Sequence, residues 1–323
     1  MIDKQYKIST VIVTFNRKTL LKRCLDAVSQ QTYKPQDVYI MDNASTDGTM
    51  DSVKEWGFYE VESNGIRWHY ILNDKNEGGS GGFYKGMKTA FEETNPDALW
   101  VMDDDGEPAP TCLDELRKYL DEYDFLSPMV VSDEDRLTCS FTKDHEPYTE
   151  FIKKAENGII KNWVNPFNGV LFSKALINKV GYPKKGMFIW GDEWNYQLRC
   201  INDGFSLACV VKSMHYHPVD RQKKILYMGS KVMPIEQDWK LYCYIRNYVY
   251  NCVYFSPYIH KAPFLKGIFY QLLELRGCVI FVQRFAQYDR EVLHKNRKMV
   301  FVKAFFAGVF KSFGGQYKYM KKK

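Results

Sequence analysis

No two of the eight cysteines form a CxxC pair, so neither a zinc ribbon nor a disulfide framework can be read from their spacing. Cysteines used this way predict a reducing, cytoplasmic setting. Long apolar runs are also missing. The best candidate, Pro263 to Gln283, is broken by Lys266, Glu274 and Arg276, short of the roughly 18 uninterrupted residues a membrane span needs. The opening MIDKQYKISTVIVTFN does not read as a signal peptide, because its apolar run is short and passes directly into polar residues. There is no internal repeat and no low-complexity segment. Two phosphate-loop fingerprints fail as well. Gly79-x-Gly81 would need glycine at Tyr84, and Gly81-x4-Gly86 is followed by Met87, not Lys-Ser/Thr. An EF-hand starting at Asp103 fails because Gly106 comes fourth and prolines follow.

What remains is a globular composition, 45% apolar and 26% charged, in a chain of 323 residues that can bury a large core. The net charge of +6 is concentrated at one end. Residues 286–323 hold ten Lys or Arg against two acids, which leaves everything before them slightly negative. Because the positive charge is confined to one Phe-rich terminus and no nucleic-acid motif appears, no nucleic-acid partner is expected.

The first hundred residues alternate strand and helix signals. KISTVIVTF, DVYIMDN, IRWHYIL and DALWVMDDD read as strands. TLLKRCLDAVSQQ, residues 46–56 and GGFYKGMKTAFEE read as the helices between them. That order predicts an α/β fold with parallel strands and helical crossovers, whose ligands bind beyond the carboxyl ends of the strands. Each strand ends in polar residues: Thr14 to Asn16, Asp42-Asn43, Asn73-Asp74 and Asp103 to Asp105. After about residue 221 the pattern turns helical and aromatic with no further strand alternation, which sets a boundary near residue 225, between regions 1–225 and 226–323.

Adjacent carboxylates repel, so Asp103-Asp104-Asp105 is easiest to explain with a cation among them. Two carboxylates at a strand end suit Mg²⁺ or Mn²⁺ shared with substrate phosphates. Pleat alternation would put Asp103 and Asp105 on one face and Asp104 on the other, towards a ribose or sugar. The glycines of NEGGSGGFYKGM allow close backbone approach ahead of a helix N-terminus. In MFIWGDEWNYQLR, Asp192 and Glu193 stand near a helix start beside Trp190 and Trp194. They serve either the helix dipole or as a general base next to rings that pack on sugar faces. In MHYHP, His215 and His217 share a strand face, and one of them could complete a metal site.

Together these pieces resemble a family 2 glycosyltransferase of the GT-A fold: a Rossmann-like, mostly parallel sheet flanked by helices, here with a helical C-terminal extension. NEGGSGGFYKG, WVMDDD, FIWGDEWNYQLR and DWKLYCYIRNYVY resemble the galactofuranosyltransferase and rhamnosyltransferase branch more narrowly. The resemblance implies nucleotide and donor contacts at Thr14, Phe15, Asn16, Arg17, Asp42, Asn43, Asn76, Gly78, Gly79, Asp103 and Asp104. It implies metal ligation by Asp103, Asp105 and His217, with His215 as the competing histidine. It places the catalytic base at Glu193 or Asp192, and the acceptor beside Trp190, Trp194, Asn168 and Gly169. The implied reaction is inverting transfer from UDP-galactofuranose, with dTDP-rhamnose as runner-up, to a glycan or lipid-linked glycan. A catalytically silent carbohydrate- or nucleotide-binding module is the reading from another class.

At the C-terminus, Phe301, Phe305, Val309 and Phe313 recur at i+4 beside Lys298, Lys303 and Lys311. This predicts either an ordinary packed helix with a solvated face or a helix lying on an anionic membrane surface, and the second reading implies a peripheral location at the inner face of the cell membrane. In DWKLYCYIRNYVY, Arg246 shares a helical face with Trp239, Tyr242 and Tyr250, and serves either ligand or structure. The oligomeric state, a homo-oligomer included, is left open.

Overall fold

The computed structural model describes residues 4–141, 146–165, 167–219, 225–227, 230–256, 259 and 261–320. The chain divides into two compact units, Met1–Tyr182 with Asp203–Asp220, and Pro183–Asn202 with Arg221–Lys323. In chain order the first unit runs β1 (Ile8–Thr14), α1 (Lys18–Ser29), β2 (Asp37–Asp42), α2 (Thr49–Glu55), β3 (Val61–Ser63), β4 (Ile66–Leu72), α3 (Gly78–Thr94) and β5 (Ala98–Asp103). It continues with β6 (Glu107–Pro108), α4 (Cys112–Arg117), β7 (Phe125–Ser132), α5 (Tyr148–Ile152), β8 (Ile159–Lys161), β9 (Asn168–Ser173), α6 (Lys174–Val180) and, after an excursion, β10 (Leu207–His217).

The strands form one sheet in the order β3-β4-β2-β1-β5-β9-β7-β10-β6, with β8 also on β10. β4, β2, β1 and β5 run parallel, as the strand–helix alternation predicts. β9 enters antiparallel between β5 and β7. Every residue of β1 and β2 is buried, which is why each carries an apolar run, Val11 to Val13 and Val38 to Met41, in place of alternation. Helix α1 turns Leu21, Cys24, Leu25 and Val28 inward at helical spacing, and each such buried aliphatic contributes about 1.5–3 kcal/mol. Gly82 and Gly86 explain part of the glycine-rich segment. A Cβ at Gly86 would stand 2.5 Å from Val11 and 2.6 Å from Met41, and one at Gly82 would stand 2.5 Å from Val13. These glycines let α3 lie directly on β1 and β2.

The second unit holds α7 (Asp192–Asn202), β11 (Ile225–Tyr227), β12 (Ser230–Val232), α8 (Asp238–Phe255), α9 (Phe264–Glu291) and α10 (Lys298–Val309). The antiparallel β11–β12 pair departs from the expectation of no strand beyond residue 221. Three-residue strands are too short to show a period. Residues 183–202 also group here, ahead of the boundary expected near 225. α8 supplies the reason, because its side chains bind the backbone of that segment.

On α10, Phe301 is buried, Phe305 and Val309 pack on the same helical core, and the Phe313 ring meets Tyr250 edge-on at 5.1 Å. The face expected to meet a membrane is therefore the inward one: α10 is apolar beyond that stripe too, at Met299, Val302 and Phe306, and its core contacts select which residues turn in. No described helix is long and apolar enough to cross a membrane. All eight cysteines are buried, and none is in a disulfide.

Candidate functional site

β1 connects through α1 to β2 on one side, and α3 carries the chain to β5 on the other. The sheet reverses its winding between β1 and β5, where open α/β sheets bind ligands beyond the strand ends. Thr14 is paired with Asp42, and Val13 with Asp103, so the polar strand ends align at this edge.

Strand β5 stops at Asp103, and the pleat alternation expected of the three aspartates stops with it. Asp103, half-buried, donates its backbone N–H to the Phe167 carbonyl at 3.2 Å. Asp104 is only 2% exposed and accepts from the Thr14 hydroxyl at 2.6 Å. Burial pushes its carboxyl up to about 6, against the opposing pull of Arg17 and Thr14. Arg17 Nη1 reaches Asp105 at 2.7 Å and Asp104 at 3.2 Å, and His217 Nε2 lies 3.1 Å from Asp105 Oδ1. Burial opposes the charge of Asp105, but His217 and Arg17 prevail and hold its carboxyl down at about 2. Part of the cation that adjacent carboxylates call for is thus the protein's own guanidinium.

The two histidines differ in role. His215 is fully buried in a slot made by two glycines. A Cβ on Gly106 would stand 2.0 Å from its ring, and one on Gly169 would stand 2.7 Å away. Burial lowers its pKa to about 3, so the ring stays neutral. Gly169, expected near the acceptor, is buried under this ring, and its carbonyl accepts from Trp100 Nε1 at 2.9 Å. Asn168 is half-buried opposite Met102.

His217 Nδ1 donates to the Pro218 carbonyl at 2.7 Å. A carbonyl can only accept, so Nδ1 carries a proton; with a second proton on Nε2 the ring is the cation that lowers the Asp105 carboxyl, and without it the Nε2 lone pair faces Asp105. That contact is attractive only with a second proton or a cation between the two groups. A carboxylate oxygen and an imidazole nitrogen converging this way fit a divalent ion; the carboxylate suits Mn²⁺ or Mg²⁺, and the imidazole favours Mn²⁺ of the two. No group of three or more His, Cys, Asp or Glu forms a complete metal cage among the described residues, so phosphate oxygens would have to supply other ligands.

Beside these groups the β1 and β2 ends are laced together. Asn16 Oδ1 accepts from Thr46 N–H at 2.7 Å, and Asn16 N–H donates to Ser45 Oγ at 2.8 Å. Asp42 accepts from Ser45 N–H at 2.8 Å and from the Tyr70 hydroxyl. Phe15 stands exposed at this edge. A relay then ties α3 to the sheet. Lys85 donates to Asn73 at 2.6 Å, Asn73 to Asn43 at 2.9 Å, and Asn43 to the Gly78 carbonyl at 2.9 Å. Asn76 Oδ1 caps the Gly78 N–H at 2.7 Å, and a Cβ on Gly79 would meet only open space. Lys85 and Tyr70 escaped the sequence reading, for nothing in their spacing signals the relay or the bond to Asp42.

In the helical unit, Asp192 and Glu193 open α7. The preceding turn is strained, with Phe188, Trp190 and Gly191 all at positive φ, a cost of about 1–3 kcal/mol for each non-glycine residue. Three residues of α8 restrain it. Arg246, fully buried, donates to the Met187 carbonyl at 2.5 Å and to Gln316 at 2.6 Å. Asn247 donates to the carbonyls of Met187, Ile189 and Trp190, and Asn251 to that of Gly191 at 2.7 Å. Arg246 is therefore structural. Asp192 is buried and Glu193 half-exposed. Trp194 is exposed, its ring 6.0 Å from Tyr248, whereas Trp190 packs towards Tyr244.

A model of glycosyl transferase family 2 matches residues 9–181. Galactofuranosyltransferase GlfT1 of Mycobacterium tuberculosis is 30% identical over 230 residues, 68% of this chain and 73% of its own length. GlfT1 of Mycolicibacterium smegmatis is 28% identical over 239 residues, 68% of this chain and 74% of its own. Among solved structures, S. aureus TarS 1–349 in complex with UDP-GlcNAc aligns with a TM-score of 0.55 at 15% identity, over 94% of this chain and 81% of that one. GalNAc-T7 with UDP, GalNAc and Mn²⁺ aligns with a TM-score of 0.54 at 15% identity, over 90% and 57%. Likeness at that identity speaks for the fold.

Proposed function

The chain belongs to glycosyl transferase family 2, and from that premise we propose that it moves galactofuranose from UDP-galactofuranose to a hydroxyl of a cell-surface polysaccharide or lipid-linked glycan, with inversion. The identity to GlfT1 over two thirds of the chain supports the sugar. The observation that carries the site is the convergence of Asp105 and His217 beside Thr14, Arg17 and Asp104 at the β1–β5 switch point.

In this reading Thr14, Asn16, Asp42 and the open backbone at Gly79 receive the nucleotide. Asp105 and His217 would hold Mn²⁺ or Mg²⁺, which when bound would offset charge on the departing diphosphate. Arg17 leaves Asp105 for the phosphates. The acceptor oxygen attacks the anomeric carbon from the face opposite UDP. The bond to phosphate breaks as the new glycosidic bond forms, and the acceptor proton passes to a carboxylate. We assign that base to Glu193, because Asp192 is buried and Glu193 keeps an open flank for an acceptor. Trp194 offers its exposed ring to the acceptor sugar.

The test is calorimetry with UDP and with dTDP, each in Mn²⁺ and in EDTA, followed by transfer from UDP-galactofuranose. Tight UDP binding that EDTA abolishes, with turnover, is expected. Preference for dTDP would move the donor to rhamnose, and binding indifferent to EDTA would overturn the metal site. Glu193→Gln should keep UDP affinity and lower turnover by about 10²–10⁴-fold. The same loss from Asp192→Asn, with Glu193→Gln active, would reverse the assignment.

A further inference from the structure

In the helical unit, exposed apolar side chains gather on the first half of α9. Phe264, Leu265, Ile268, Phe269, Leu272 and Leu273 are all exposed, Phe264 by 81%, Leu265 by 78% and Leu272 by 60%. They recur at i, i+1, i+4, i+5, i+8 and i+9, two adjacent ridges of one helix. The other side of that helix is anchored. Gln271 donates to the Val253 carbonyl at 3.2 Å, Ser256 donates to Glu274 at 2.7 Å, and Cys278, Val282 and Phe285 are buried in the core. The helix is held in place with its apolar face outward. A contiguous exposed apolar patch of this kind marks an interaction site.

Charge indicates what covers it. Residues 256–323 hold fourteen Lys or Arg against three acids, while residues 1–255 hold more acids than bases. Lys266 and Arg276 are exposed on α9 itself. A second copy of this face would bring like charge against like charge. An anionic lipid leaflet accommodates both features, taking the apolar ridges at the acyl boundary and the cations among its headgroups. α9 does not qualify as a membrane span, so this contact lies in the plane of the surface.

We propose that the first half of α9, and not the inward Phe301–Phe305–Val309 stripe, docks the protein on an anionic lipid surface. This holds whichever sugar is transferred. The experiment is flotation of the full chain with vesicles of phosphatidylcholine alone and of phosphatidylcholine mixed with phosphatidylglycerol, alongside sedimentation without lipid. The triple variant Phe264→Ser, Phe269→Ser, Leu272→Ser changes only exposed positions, and unchanged UDP binding verifies its fold. Wild type should float with the anionic vesicles, and the triple variant should lose about tenfold or more of that partition. Lys266→Glu with Arg276→Glu should weaken it too. A triple variant that floats like wild type overturns the proposal, as does equal flotation on phosphatidylcholine alone. A wild type that does not float overturns it as well. If that protein sediments as a dimer which the triple variant dissociates, the face joins copies of this chain.

Discussion

In the sheet unit the large exposed apolar side chains are scattered singly, as at Val61, Leu72 and Leu137, and charge is gathered at the strand ends. In the helical unit the exposed apolar side chains run together along α9, and the carboxyl-terminal stretch is strongly basic. The contrast separates two physical tasks. In the reading proposed above, the converging carboxylates serve a cation and phosphate, whereas the apolar ridges among dispersed cations serve something extended. If that division is right, substitutions should divide the same way. Asp105→Ala should lower transfer by about 10²–10³-fold or more and abolish metal-dependent UDP binding, while leaving vesicle flotation unchanged. Retained turnover would break the comparison at its strongest point.

Stability offers the next test, for the helical unit contains a buried ion pair. Arg297 donates to both oxygens of Asp289 and also to the Ile235 carbonyl, and both side chains are nearly inaccessible. Asp289→Ala leaves a guanidinium buried without its main partner, which should cost about 3–5 kcal/mol in denaturant unfolding. A loss below 1 kcal/mol would mean the remaining acceptors satisfy Arg297 alone. Asn247→Ala should act more mildly. It removes the donor shared by three carbonyls of the strained turn before Asp192, and should cost about 1–3 kcal/mol. Turnover should drop while UDP affinity stays. Equal loss of UDP affinity would show that this turn serves the nucleotide and not the base.

Much of the sheet unit was legible because its signals are local. The apolar runs of β1 and β2 are buried on both sides, so their composition announced parallel strands. The polar strand ends announced the site, since a parallel sheet aligns them whatever the detail. Details beyond Asp103 were not legible, because the chain leaves the pleat there and the roles of Asp104 and Asp105 depend on Arg17 and His217, distant in sequence. The glycines of α3 combined two functions that spacing alone does not separate, close packing at Gly82 and Gly86 and open backbone at Gly79. On α10, periodicity identified an apolar stripe but not its direction, for Met299, Val302 and Phe306 make the outer side apolar too and only Lys298 and Lys303 mark it as polar.

The smallest predicted effect lies at the other end of the sheet unit. Asp37, at the start of β2, accepts two bonds from Arg67, at 2.8 and 2.7 Å, and one contact from His69 at 3.0 Å. Burial opposes its charge, but the bonds from Arg67 and His69 prevail and hold its carboxyl below the ordinary carboxylate range. A carboxyl with a depressed folded pKa contributes stability that is present above its unfolded pKa, about 3.9, and is lost as pH falls through the folded value. Arg67 is half exposed, 52% against 2% for Asp37, so solvent screens the pair and its contribution should be about 1 kcal/mol, well below that of the enclosed Asp289 pair. Asp37→Asn should therefore lower stability by that amount at neutral pH, and the gap from wild type should close as acid is added below about pH 4. A gap that stays constant through this range would mean that Asp37 acts through packing and not through its charge.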